Sequence, residues 1–218
     1  PLVSKNAARS LDIRRLYLRT INLALSLALP IFIGLITVSD VVVQVFFGDN
    51  WSAATELVVL LCLYSILRFP SSIHEQFYLG TGRARLSLII AVSRLLFLIA
   101  AMSIASKSAD LKVVLLALVC AQLVSFLIEA RIVLATLSVP ISLALVEILK
   151  PLLPASIMGL IVLSFRETLG EVEPALLPLV AMVTGGVVSY FVLLAVFNKE
   201  VLVVVSKNIM PRRNIVDG

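Results

Sequence analysis

The sequence predicts an all-α bundle of about six transmembrane helices. Three observations carry that reading. Hydrophobic residues make up 61% of the 218 residues and charged residues only 14%, against about 45–50% and about 25% in soluble domains. Mean hydropathy is +1.11, and so few charges cannot cover the surface of a soluble enzyme or a free nucleic-acid-binding domain. The apolar runs are also long enough for helices and lack the period-two alternation of a membrane barrel. At about 20 residues per span, the chain has room for six or seven crossings with short loops.

Six spans follow from apolar length. The first covers about 21–47, with no charge from Ile21 to Ser39 and a proline, Pro30, in its middle. The second, about 55–79, is interrupted by Arg68, Pro70 and Glu75, and the third, 86–106, only by Arg94. The fourth runs over about 112–137. The fifth, about 141–165, opens with Glu147, Lys150, Pro151 and Pro154. The sixth, 174–198, is uncharged throughout. Residues 1–20 form a basic interfacial segment in which Leu11 and Leu16 face lipid while Arg14, Arg15 and Arg19 reach phosphates. Residues 199–218 form a basic tail.

Charge orients the bundle. Twelve basic residues fall before span one, between spans two and three, at the end of span four and in the tail; the opposite side holds three, Lys107, Lys112 and Arg166. This asymmetry alternates correctly over six spans and places both ends in the cytoplasm. The net charge of +5 therefore faces anionic headgroups, and no nucleic-acid partner is needed.

Catalytic and metal constellations are not apparent. The single histidine, His74, has no partner cluster in sequence. Cys62 and Cys120 stand apart in apolar stretches and read as small buried residues. Gly80-Thr81-Gly82 lacks the strand and the further glycine of a phosphate loop and reads as a tight turn. No cofactor and no enzymatic activity are expected. Glu129, Arg131, Glu147 and Lys150 lie near the cytoplasmic boundary and read as solvated there, so no acidic residue stands deep enough to carry a counter-ion. Gly185-Gly186 suits close helix packing. Pro30, Pro70, Pro151 and Pro154 suggest kinks, serving either packing or a hinge.

Intramembrane charge is the informative signal, because its burial is costly and rarely kept without use. Arg68 lies roughly 18 Å along its helix from Glu56, and Arg94 roughly 13 Å in from Arg85, at 1.5 Å per residue. Both fall in the cytoplasmic half of adjacent antiparallel spans. They are the candidate binding residues for an anionic substrate, because a guanidinium pairs bidentately with phosphate. The alternative is that each snorkels to the interface or pairs with Glu75 or Glu129.

From about residue 15 to Arg94 the sequence resembles the polysaccharide and O-antigen flippases, members of the multidrug/oligosaccharidyl-lipid/polysaccharide exporter superfamily. The resemblance rests on a basic lead-in, the mid-span Pro30, and the extracytoplasmic Phe47-Gly48-x-x-Trp51. Beyond these lie LVVLLCLYSILRFPSS, the Gly82-Arg83 turn and Arg94. It implies a transporter of lipid-linked oligosaccharide in the bacterial inner membrane, built as two lobes that alternate access. The chain would correspond to the last six of fourteen spans, with an N-terminal lobe as partner and glycan polymerase or export machinery as further partners. Other readings that remain open are a drug or cation extruder, a peptidoglycan-precursor flippase, and a membrane scaffold without transport of its own.

Overall fold

The computed structural model describes the backbone of residues 2–108, 110–169 and 176–198, and the side chains of 12–108, 110–168 and 176–198. Among them are seven α-helices and one short 3-10 turn. These are α1 (Leu2–Thr37), α2 (Ser39–Phe47), the turn Asp49–Trp51, α3 (Ala54–Gly80), α4 (Ala84–Ala105), α5 (Leu111–Thr136), α6 (Ile141–Leu169) and α7 (Leu176–Phe197). Six are long and apolar enough to cross a membrane. The chain is an all-α polytopic membrane bundle. The tail 199–218 lies outside the described residues.

The basic lead-in and the first span share one helix, with no break near residue 20. The apolar part of α1, Asp12–Thr37, is 26 residues long, or about 39 Å at 1.5 Å per residue. That already exceeds a hydrocarbon core of about 30 Å. The run expected as span one, 21–47, is accordingly broken at Val38. Thr37 and Ser39 donate their hydroxyls to the carbonyls of Gly34 (2.7 Å) and Ile36 (3.1 Å), offering the backbone an alternative to the continuous ladder. The short α2 then presents exposed Phe46, Phe47 and, beyond it, Trp51, the side chains that favour a membrane–water boundary.

The Gly80-Thr81-Gly82 segment is a tight turn, as expected. Gly82 adopts φ +73°; its N–H donates to Leu79 O (3.1 Å) and that of Arg83 to Tyr78 O (2.8 Å), closing a Schellman motif. The end of α5 closes in the same way. Val139 N–H donates to Leu134 O (2.9 Å) and Ser138 N–H to Ala135 O (3.3 Å), with Ser138 held at φ 52°.

Helix α1 is the shared wall of the bundle. It packs extensively on α6 and, on another side, on α3; α3 packs on α5, α5 on α4, and α6 on α7. A Cβ on Gly159 would stand 2.8 Å from Ile33 Cγ2, and one on Gly186 would stand 3.1 Å from Val162 Cγ2. Small residues there let α6 approach α1 and α7. Gly185 meets nothing within 4 Å, so only one of the paired glycines serves the contact.

Two of the prolines, Pro30 and Pro151, have identifiable compensation. A proline lacks the N–H that would bond the carbonyl four residues earlier, and in lipid a freed carbonyl must find another donor. Pro30 frees Ser26 O, which accepts from Tyr190 Oη of α7 at 2.5 Å. Pro151 frees Glu147 O, which accepts from Asn22 Nδ2 of α1 at 2.9 Å. Each of these two positions is thereby a joint to a neighbouring helix. Cys62 is buried as expected, whereas Cys120 is exposed on α5, where a weakly polar thiol is tolerated on an apolar surface.

Candidate functional site

Helical spacing brings polar side chains of four helices together. On α3, Arg68, Ser71, Glu75 and Tyr78 recur at intervals of three and four residues, with His74 beside them; on α5, Gln122, Ser125 and Glu129 do the same. Such spacing puts each set on one helix face. Arg94 comes from α4 and Tyr17 from α1.

Arg94 stands between two carboxylates. Its Nη2 bonds Glu75 Oε1, and its Nη1 lies 3.4 Å from Glu129 Oε1. Arg68 Nη2 lies 3.7 Å from the same Glu75 oxygen. His74 Nδ1 faces Glu129 Oε2 at 3.8 Å, while its Nε2 meets Tyr17 Oη at 3.0 Å. Phe126 stacks on the imidazole at an interplanar angle of 12°, and Gln122 Nε2 donates to Ser71 Oγ at 3.2 Å. Two arginines and two carboxylates balance in charge around His74. Burial is deep: His74 and Glu129 are each 2% exposed, and the Arg94 side chain is 17% exposed.

Both arginines singled out from the sequence therefore meet, on one carboxylate. The pairing with Glu75 and Glu129, left open above, is the arrangement the structure has. Arg94 also lines a cavity of about 330 Å³ with Tyr64, Gln122 and Ser125, while Arg68 keeps one guanidinium nitrogen, Nη1, buried without a partner. Three expectations need correction. Glu129 is not solvated at the boundary, because its face of α5 points into the bundle. It stands as a buried acid where none was expected. His74 does have a partner cluster, supplied by Tyr17 of α1 and by Phe126 and Glu129 of α5. The periodic Gln122-Ser125-Glu129 stripe in an otherwise apolar helix was the signal that could have found Glu129.

A second polar cluster joins α1, α6 and α7. Asn22 Nδ2 reaches Glu147 Oε2 at 3.0 Å, Asn198 Nδ2 reaches Asn22 Oδ1 at 2.7 Å, and Lys150 Nζ reaches Glu147 Oε1 at 2.6 Å. Glu147 and Lys150 are thus members of a helix joint, not merely solvated termini. At the same end a groove of about 970 Å³ opens between α1, the α3–α4 turn and the end of α5, bordered by Arg14, Gln76, Arg83 and Ser138, with Tyr17 also in its wall. The Tyr17 hydroxyl connects this groove to His74 and the buried network. No group of three or more potential metal ligands occurs among the described residues.

The first 56 residues match the family described as "Polysaccharide biosynthesis protein". The chain is also 27% identical over 161 residues to "Teichuronic acid biosynthesis protein TuaB" of Bacillus subtilis (strain 168). The comparisons support a polysaccharide biosynthesis family. The TuaB alignment takes in 74% of this chain and 33% of the relative, so the chain spans about a third of the length of the curated relative it matches. No solved structure matches the chain. The family match includes Pro30, Phe47, Gly48 and Trp51, on which the resemblance rested, and Tyr17 of the site. Arg68, His74, Glu75, Arg94 and Glu129 lie beyond it.

Proposed function

We propose that the chain forms part of a carrier that moves polyprenyl-pyrophosphate-linked oligosaccharide across the bacterial inner membrane by alternating access. In this reading the basic ends of the chain face the cytoplasm, the further spans of the carrier lie outside this chain, and no bond of the substrate is made or broken. The observation that carries the reading is Arg94, held between Glu75 and Glu129 inside the bundle of a chain similar to polysaccharide biosynthesis proteins.

The geometry suits a cation kept in reserve. An uncompensated guanidinium inside the bilayer is costly, so Arg94 needs its carboxylates while the site is empty. A diphosphate offers stronger bidentate acceptors and competes for the same nitrogens. Release does not strand Glu75, which keeps Arg68 within 3.7 Å, while Glu129 is left facing the His74 ring, with Nδ1 at 3.8 Å. Substrate can therefore take Arg94 from Glu75 without leaving that carboxylate without a cation.

The test uses the natural gene product in a host whose surface polysaccharide depends on it. Arg94→Ala is expected to abolish export while the protein still accumulates in the membrane, and Arg68→Ala is expected to weaken it. Normal surface glycan from the double variant would overturn the proposal.

A further inference from the structure

We propose that the groove between α1, the α3–α4 turn and the end of α5 is a binding site for a phosphate-bearing ligand, with Arg14 and Arg83 as its two clamps. This rests on the carrier reading only for which phosphate compound occupies it in the cell. The site itself stands on four observations.

The first is composition. Arg14 approaches from α1 and Arg83 from the turn, and both border the same cavity of about 970 Å³. Among the described residues neither forms an ion pair, whereas Arg68, Arg94 and Arg166 are all matched to carboxylates. Two unmatched guanidinium groups in one concavity favour an anion that accepts from both.

The second is the supply of neutral donors. Gln76 from α3 and Ser138 from the end of α5 also line the groove. Amide and hydroxyl donors around two arginines satisfy the many acceptor positions of a phosphate better than the two oxygens of a carboxylate.

The third is preorganisation. Arg83 leaves the Schellman closure of α3, its own N–H bonded to Tyr78 O at 2.8 Å, and Ser138 sits in the corresponding closure of α5. The backbone at both border residues is thus fixed, so binding has only their side chains left to order. The Gly80-Thr81-Gly82 turn is therefore not a phosphate loop, but it positions an arginine for a phosphate.

The fourth is location. The groove opens at the end of the bundle where α1 carries exposed Arg15 and Arg19, while Ile13, Ile73, Phe77 and Leu137 add apolar wall. An opening that is cationic on one side and apolar on the other fits an amphiphile with a phosphate head. A free phosphate compound would use only the first half.

The experiment measures binding to the purified natural gene product in mild detergent, by ligand-induced shift of its unfolding temperature. The probes are inorganic pyrophosphate, farnesyl diphosphate, and farnesol as the uncharged control. Both diphosphates are expected to stabilise the protein and farnesol is not. Farnesyl diphosphate binding much more tightly than pyrophosphate identifies the occupant as a lipid headgroup; equal binding identifies a free phosphate compound. Arg14→Gln/Arg83→Gln is expected to weaken diphosphate binding by about 10-fold or more, as for lost hydrogen bonds to charged groups. Arg15→Gln/Arg19→Gln removes the same charge outside the groove and is expected to leave it within about twofold. Arg83→Gln alone, at an exposed position, is expected to give an intermediate loss. Equal weakening by the two double variants, or no binding by either diphosphate, overturns the proposal. Transport does not enter this readout, so failure of the Arg94 export test leaves the groove untouched, and failure here leaves that test standing.

Discussion

Removing one hydroxyl, in Tyr190→Phe, tests how the bundle accommodates its prolines. Tyr190 is 5% exposed, and the change keeps its ring and volume. The bond lost is the donation of its Oη to Ser26 O at 2.5 Å. With Pro30 four residues on, no backbone N–H can replace that donor, and Ser26 is buried. A buried acceptor left without a partner costs about 1–3 kcal/mol, and side-chain bonds between membrane helices run from an average of about 0.6 kcal/mol to about 2 kcal/mol in model peptides. About 1–2 kcal/mol is therefore expected, roughly a 5- to 30-fold change in the folded-to-unfolded ratio.

The decisive comparison repeats the change in Pro30→Ala. Alanine restores the N–H at position 30, so the Ser26 carbonyl recovers its ordinary helical donor and Tyr190→Phe is expected to cost less than about 0.5 kcal/mol. The coupling of about 1 kcal/mol is read from a double-mutant cycle of unfolding free energies in mixed detergent–SDS micelles, followed by far-ultraviolet circular dichroism. Tyr190 suits the cycle because its hydroxyl has one protein partner, whereas Asn22 serves Glu147 and Asn198 at once. Equal costs in the two backgrounds would refute the idea that Tyr190 substitutes for the missing N–H.

Two other expectations concern the ion pairs. Glu129→Ala should cost about 3–5 kcal/mol in the same micelle assay, because it leaves Arg94 short of a buried partner; Glu56→Ala, which breaks only an exposed pair with Lys112, should leave stability unchanged. Sidedness can be read by cysteine labelling in a background lacking Cys62 and Cys120: a membrane-impermeant thiol reagent added to spheroplasts is expected to label Asn50→Cys and not Thr81→Cys. The reverse pattern would invert the topology drawn from the basic residues.

The spans were legible because lipid imposes one requirement, an uninterrupted run of apolar side chains with every backbone bond inside it. Counting from Arg85 put Arg94 well along its span, and its side chain is 17% exposed among the packed helices. What counting along one helix cannot supply is the direction a residue faces. Glu129 lies two residues from Arg131 and reads as a boundary residue, yet the two diverge by about 200° around the helix, and only Glu129 turns inward. His74 was similarly opaque, since its partners come from residues 17, 126 and 129, none close in sequence. The break at Val38 depended on which carbonyls the Thr37 and Ser39 hydroxyls would choose, a choice between near-equal local alternatives.

The placement of polar groups on α1 explains why a chain so apolar keeps them. Between membrane helices there is no hydrophobic preference, because a leucine is as content against lipid as against another helix. Apolar faces alone would leave the order of neighbours weakly specified. On α1, Tyr17 bonds His74 of α3, while Asn22 and Ser26 O bond α6 and α7. Two of the acceptors exist because prolines freed them, so those bonds form only when the correct helix lies alongside. α1 thereby sets α3–α5 on one side of itself and α6–α7 on another through directional bonds that a wrong neighbour could not satisfy. The same helix carries Arg14 to the groove and Tyr17 to the buried network, so a rotation of α1 would disturb both polar clusters together.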